Sequence, residues 1–279
     1  MNKNQGVAPF LKWVGGKRQL MASIADHLPN DIEERRYFEP FIGGGAVLFY
    51  LQPVHAVIND FNEELINVYN VVKNHVDELI ADLKQHENTA GYFYQIRSLD
   101  RNKEIENLTP VQRASRVIYL NKTCFNGLYR VNKAGEFNVP FGRYKKPNIV
   151  NVPALKAVNK FLNQNNLVIY SGDYANVLTQ ADKSSFVYLD PPYHPVSESS
   201  NFTGYVEGGW GLHDQTRLRD VCNQLNERGV KFLLSNSSAP LIKELYKNYA
   251  IVTVKAARAI NANGAHRGQI DEVLVKNYE

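Results

Sequence analysis

Two cysteines in 279 residues, Cys124 and Cys222, lie far apart and form no CxxC pair. That excludes a disulfide framework and leaves no zinc-site spacing. Seven histidines are present, yet none stands in a ligand spacing such as HExxH. No metal site is therefore expected. No stretch approaches the roughly 18 consecutive apolar residues of a membrane span. Met1-Asn2-Lys3-Asn4-Gln5 leads into no apolar signal core. A cytoplasmic chain without membrane contact is the expectation. Repeats, low-complexity tracts and evident linkers are also missing. What remains is an ordinary globular composition, with 44% hydrophobic and 22% charged residues. The length suits one large domain, or a domain that carries an insertion.

The net formal charge of +4 hides an asymmetry. Arg113, Arg116, Lys122, Arg130, Lys133, Arg143, Lys145 and Lys146 stand against a single acid, Glu136, over positions 113–146. The rest of the chain is consequently net negative. A basic segment on a slightly acidic body points to a localised polyanion contact. Aromatic, glycine and asparagine residues interleave with these charges, which favours nucleic acid over a merely solvated face.

Asp190-Pro191-Pro192-Tyr193 follows a short apolar run at 185–189 that reads as a buried strand. It therefore falls just past the carboxyl end of a strand, where open α/β sheets bind ligands. The two prolines fix φ and remove two backbone donors. The stiff loop offers a carboxylate, free carbonyls and an aromatic face. Such a set suits a flat heterocycle with an exocyclic amine.

Earlier in the chain, 10–18 contains a GGK that fails as a Walker A loop, because Leu11 and Arg18 replace its glycine and its Ser/Thr. Tyr37-Phe38-Glu39-Pro40-Phe41-Ile42-Gly43-Gly44-Gly45-Ala46 reads as a strand, a glycine turn and a helix start, the geometry of a βα cofactor loop. Leu48 at the third glycine position excludes the dinucleotide fingerprint. A second strand over 56–60 ends in Asp60, an acid placed for ribose hydroxyls. A ribose acceptor without a clear pyrophosphate cradle points away from NAD and toward S-adenosylmethionine. A third strand, 167–171, leads to Asp173, a candidate acceptor for a cofactor amine.

Periodicity predicts helices over 19–27, 62–83, 90–99, 110–122, 214–228 and 239–248. Further strands are expected over 231–235, 251–255 and 272–276. A helical block between the second and third strands breaks the βαβ rhythm, so 76–150 reads as an insert, with 1–75 and 151–279 forming the catalytic domain. Within it, 128–131 and 136–139 form a candidate hairpin about Asn132-Lys133-Ala134-Gly135. Segment 197–211 reads as a lid, and 258–267 as a second phosphate-contact loop.

These motifs, taken together, resemble the Dam-type adenine-N6 DNA methyltransferases nearly end to end. The matching segments are 10–18, Glu39 to Gly45, Asn59-Asp60, Asn126-Gly127-Leu128-Tyr129-Arg130, the stretch 136–147 and Asp190-Pro191-Pro192-Tyr193. Their order is that of the family's α group. The resemblance implies a Rossmann-like class I methyltransferase sheet with helices on both faces, plus a mainly helical DNA-recognition insert with a β-hairpin. It implies that Asp190, Pro191 and Tyr193 hold a flipped adenine, with Pro192 stiffening the loop. Trp13, Lys17, Glu39, Pro40, Phe41, Gly43, Gly45, Asp60 and Asp173 would line an S-adenosylmethionine site. Lys12, Leu128, Arg130 and Pro140 would read duplex DNA, usually at GATC. Phe125 stands where the family inserts an aromatic, Asn126 belongs to the same DNA-binding set, and Asn132 and Arg143 are further base or phosphate candidates. A cognate restriction endonuclease acting on the same site is a candidate partner, not a required subunit. Association with the nucleoid would follow from DNA binding. The rival readings are a non-catalytic nucleic-acid-binding protein, and a methylase of RNA or of a protein amide.

Overall fold

The computed structural model describes residues 6–13, 15–195, 210–257 and 269–279. The 258–267 loop lies outside the described residues, as does the 197–211 segment except for Trp210 and Gly211. Among the described residues, no helix is long and apolar enough to cross a membrane.

Seven strands form one sheet: β1 (Arg36–Glu39), β2 (His55–Asp60), β3 (Asn166–Ser171), β4 (Ser185–Leu189), β5 (Lys231–Ser237), β6 (Ala250–Ala257) and β7 (Gln269–Lys276). Their order is β3-β2-β1-β4-β5-β7-β6. The first five pair in parallel, whereas β7 runs antiparallel to both β5 and β6. The strand order reverses between β1 and β4, which makes the carboxyl ends of those two strands the expected ligand crevice.

Successive strand residues alternate between two cores, as a period of two requires. Tyr37, Ala56, Ile58, Phe186, Tyr188 and Leu233 enter one core. Phe38, Val57, Val187, Leu189, Phe232 and Leu234 enter the other. The first is covered by α1 (Met21–Asp26), α2 (Ala46–Leu51), α3 (Glu63–Asn74), α4 (Val76–Leu83), α6 (Pro110–Thr123) and α7 (Val152–Gln164). The second lies under α8 (Tyr174–Leu178), α9 (Leu212–Glu227) and α10 (Pro240–Leu245). With helices on both faces, the molecule is a mixed α/β fold around a mostly parallel sheet.

The helix expected over 62–83 is two helices. His75, at φ −136°, leaves the helical region and separates α3 from α4. The capping signals are otherwise plain. Asn62 accepts the Leu65 N–H at 2.9 Å. Thr109 and Gln112 form a reciprocal capping box at the start of α6, with Pro110 in its first turn. Helix α7 is absent from the expectations above. Its Leu155, Val158, Phe161 and Leu162 keep helical spacing, and Asn151 caps it.

A third, smaller core joins Phe93 of α5 (Ala90–Ser98), Tyr119 and Leu120 of α6, and Cys124, Phe137 and Val139. It anchors the hairpin region. There the chain makes single bridges, Val131 to Phe137 and Cys124 to Phe141, in place of a long ladder. Asn132 closes the turn: its backbone N–H donates to Glu136 O, and its Oδ1 accepts the N–H groups of Ala134 and Glu136, each at 3.0 Å.

Candidate active site

At the reversal of strand order, β4 delivers Asp190 and β1 delivers Glu39. The proline-rich loop after β4 is tied down from three directions. The Pro192 carbonyl accepts from Gln215 Nε2 of α9 at 2.9 Å. Tyr193 Oη donates to Glu272 of β7 at 2.8 Å. The end of β5 grips His194: its N–H donates to Asn236 Oδ1 at 3.2 Å, and its carbonyl accepts from Ser237 Oγ at 2.7 Å. Asn236 also donates to Gln215 Oε1, which joins two of these anchors. Gln215, Asn236 and Glu272 were not foreseen from sequence, since each lies tens of residues from the motif and carries no local pattern.

Asp190 pairs with Lys17, Nζ to Oδ1 at 2.7 Å. The same ammonium donates to Gly15 O at 2.7 Å and lies 4.6 Å from the Tyr193 ring centroid. Lys17 is only 5% exposed, so this pair is largely withdrawn from water. Burial pushes the Asp190 carboxyl up to about 6; Lys17 opposes that rise and Glu272 adds to it. An acid that ionises near neutrality in a crevice is a typical functional-site signature.

The glycine turn after β1 needs glycine. Gly43 and Gly45 have φ of +46° and +70°. A Cβ on Gly45 would come within 2.7 Å of Tyr69 Oη. The Trp13 ring lies against Gly43. Asp60 spends Oδ2 on the Gly43 N–H and Oδ1 on the Asn62 N–H, each at 3.0 Å. Burial raises its pKa, and those N–H groups oppose the rise. Glu39, 2% exposed, accepts from Tyr37 Oη and the Leu48 N–H. Burial drives its carboxyl well above the usual range. Both acids thus brace the turn from within. Asn59 Nδ2 bridges the carbonyls of Pro40 and Gly172. Phe41 packs against Tyr174 and Trp210, with ring centroids 5.0 and 5.7 Å away. Asp173 is held by both nitrogens of the Arg217 fork, at 2.7 and 3.0 Å. Phe61, 58% exposed beside Asp60, and Trp210 join this neighbourhood without having been expected.

The residues expected to meet DNA lie around the hairpin and the turn at Phe125. Phe125 is 53% exposed at a 3-10 turn, with Asn126 beside it at φ +58°. The Pro140 carbonyl receives the Phe125 N–H at 2.8 Å. Arg130 donates to Asn138 Oδ1 at 2.7 Å on the exposed face. Leu128 is half-buried and Arg143 is exposed, at φ +54°. Lys12 reaches this group because buried Asn121 clips it there. Asn121 Oδ1 accepts the Lys12 N–H at 2.9 Å, and Nδ2 donates to the carbonyls of Lys12 and Gly127. Trp13 stacks on Tyr129 at 4.8 Å. The segment Lys12-Trp13 thereby touches both the glycine turn and the hairpin base.

The basic segment is less charged than it reads. Arg113 pairs with Glu64, and Arg116 pairs with Asp100. Burial lowers the Lys122 pKa, with Lys12 adding to the effect. Arg130, Lys133, Arg143, Lys145 and Lys146 remain exposed. A depression of about 390 Å³ lined by Arg36, His55, Asn166 and Val168 lies at the opposite, amino-terminal ends of the strands.

Comparison with known proteins agrees with this geometry. Residues 13–260 match the D12 class of N6 adenine-specific DNA methyltransferases. The chain is 46% identical to the Type II methyltransferase M1.LlaDCHI of Lactococcus lactis subsp. cremoris, across all of this chain and 98% of that protein. It is 44% identical to the Type II methyltransferase M.MjaIII of Methanocaldococcus jannaschii, across 98% of this chain and 99% of that one. Identity to the DNA adenine methylase of Escherichia coli (strain K12) is 37%, over 98% and 95% of the two chains. The chain belongs to the D12 class of N6 adenine-specific DNA methyltransferases.

Proposed function

We propose that this enzyme transfers a methyl group from S-adenosylmethionine to N6 of an adenine within GATC in duplex DNA, after the base has turned out of the helix. The observation that carries the reading is the half-buried Asp190 loop at the strand-order reversal, with Asp190 paired to buried Lys17 and Tyr193 fixed by Glu272. An adenine inside a duplex is out of reach of such a recess, so extrusion is required. We take 1–75 and 151–279 as the catalytic domain and 76–150 as the target-recognition subdomain.

The residues present fit the cofactor. Beside Phe41, Tyr174 Oη and Trp210 Nε1 are buried without a hydrogen-bond partner among the described residues. An aromatic cluster with unpaired polar atoms suits a purine ring. Trp13, Lys17, Glu39, Pro40, Phe41, Gly43, Gly45, Asp60 and Asp173 would hold the molecule. When bound, S-adenosylmethionine supplies a methyl group on a positively charged sulfur, which departs as a neutral thioether.

The chain's own part is to hold the amine. The Asp190 carboxylate and the Pro191 carbonyl accept the two N–H bonds. That favours a pyramidal nitrogen and concentrates its lone pair, while Tyr193 stacks on the ring. Lys17 now occupies the acceptor that the amine needs, and it yields Asp190 as the base enters. Positioning of this kind lowers barriers by several kcal/mol. The N–H proton passes to Asp190 or to solvent.

On the DNA side, Lys12, Leu128, Arg130 and Pro140 read base edges. Phe125 and Asn126 fill the space the base leaves, and Arg143 and Asn132 add contacts. Two relatives carry Type II methyltransferase names, which favours a restriction-linked setting and an endonuclease of the same specificity. The enzyme would then work in the cytoplasm, at the nucleoid.

The test is transfer of labelled methyl to two duplexes that differ only as GATC and GTAC. Label on the first alone, recovered as N6-methyladenine, supports the whole reading. Label on both retains the chemistry and removes the base-reading assignments. No label on either, with no cofactor binding by calorimetry, overturns the reading in favour of a binding protein.

A further inference from the structure

The proposed base-reading arm is held by a polar clamp that lies apart from the active-site loop, with Arg116 and Asp100 largely buried and Arg101 half-buried. Arg116, on α6, is 5% exposed. Its guanidinium donates to Ile96 O at 2.9 Å, to Arg97 O at 2.9 Å and to Asp100 Oδ2 at 2.8 Å. Asp100 Oδ2 also accepts the backbone N–H of Phe137 at 2.7 Å. Arg101 completes the grip: Nη1 donates to Asp100 Oδ1 at 2.8 Å, and Nη2 to Phe137 O at 2.7 Å. Both backbone groups of Phe137 are therefore tied to residues at the end of α5. Two residues further on, Arg97 donates to Val139 O at 3.2 Å.

What this clamp holds is the strand that presents Asn138. Phe137 points into the small core, and its neighbour Asn138 faces outward with Oδ1 on Arg130 Nε. The Asn138 N–H donates to Arg130 O at 3.0 Å, so the two outward residues share one backbone register. Phe137 and Val139 anchor one strand in the small core, but a short two-stranded hairpin is marginal in water on its own. A charge-assisted acceptor on Phe137 supplies the missing constraint.

We propose that Asp100, locked by Arg116, is a positioning residue for target recognition: it sets where Arg130 and Asn138 meet the base pairs. The inference rests on the DNA-methylating reading above. It goes further in assigning specificity to an ion pair that touches no DNA. Side chains that read base edges must be placed closely, because a bidentate contact fails when its donor shifts. A looser arm would still meet phosphates, which tolerate displacement.

The experiment uses the full-length enzyme, S-adenosylmethionine and a pool of duplexes with randomised positions around one adenine. Sequencing of the methylated products gives the preference at each position, whatever the target proves to be. Asp100→Asn keeps the shape but removes the charge. The expected result is a loss of discrimination of about tenfold at the pairs read by the arm, the scale of one mismatched pair. KM for the preferred duplex should rise, while kcat at saturating DNA and cofactor affinity stay as in the unaltered enzyme.

The double variant D100L/R116M separates placement from folding. Removal of both charges avoids leaving Arg116 buried and unpaired, and half-buried Arg101 keeps Glu136 and solvent, so thermal stability should return in part. Discrimination should stay lost, because leucine cannot accept the Phe137 N–H. Asp100→Glu should recover part of it. Unchanged discrimination in Asp100→Asn, or full recovery of discrimination with stability in the double variant, would overturn the clamp's role. Failure of the unaltered enzyme to methylate any duplex would overturn the functional reading, and this inference with it.

Discussion

Asp190 is a carboxylate that the fold makes reluctant to ionise. Its pKa of about 6 comes from burial first, offset by Lys17. Only the ionised form accepts two hydrogen bonds without offering a proton. Below about pH 6 kcat/KM should fall about tenfold per unit, as for any single essential base. A pH series of initial rates checks this. Since Lys17 holds the value down, Lys17→Gln should move that acid limb toward higher pH, whatever it does to the maximal rate. The linkage to stability has the opposite sense. Between the usual 3.8 and about 6 the folded chain binds more protons at this site, so its contribution to stability grows as the pH falls. Asp190→Ala should abolish methyl transfer yet keep specific DNA binding in a gel-shift assay; loss of both would indicate a folding role.

At the scale of elements, the parallel strands and their terminal acids were legible because buried strands are short apolar runs with punctuation at each end. The run at 185–189 is β4 to the residue. The helix starts were legible where caps were local, as at Thr109-Pro110. Other features were not. The break at His75 lies inside an unbroken apolar pattern, and nothing in that pattern marks it. Helix α7 has Pro153 in its first turn and several asparagines, which read as loop until packing on α3 decides otherwise. The anchors Gln215, Asn236 and Glu272 arrive from three separate elements, so only the sheet order brings them to Asp190. The α6 cap gives a measurable quantity: Thr109→Ala should cost about 1 kcal/mol. Urea unfolding should show it as a lower midpoint with an unchanged slope.

For the whole molecule, the charge that matters is smaller than the sequence total. Arg113 and Arg116 spend theirs on Glu64 and Asp100. The exposed Lys145 and Lys146 do not, and they follow the stretch that closes the small core. Replacing both with glutamine should weaken binding to every duplex alike. Each lost phosphate contact should make the slope of log K against log salt shallower by about one. Binding titrations from low to moderate salt measure that slope. A change confined to one sequence would mean that these lysines read bases instead.

Trp13 lies against Gly43 on one side and stacks on Tyr129 on the other, while Asn121 pins its neighbour Lys12. In the proposed arrangement one indole is the shared wall of the cofactor site and the DNA site. Two ligands that press on the same wall are expected to affect each other, and the energy that couples them is a single quantity. Whatever factor the cofactor adds to DNA affinity, DNA must add to cofactor affinity. Calorimetric titrations of each ligand in the presence and absence of the other should give equal factors. Trp13→Ala should bring both toward one, so the help that each substrate gives the other becomes a property of one side chain.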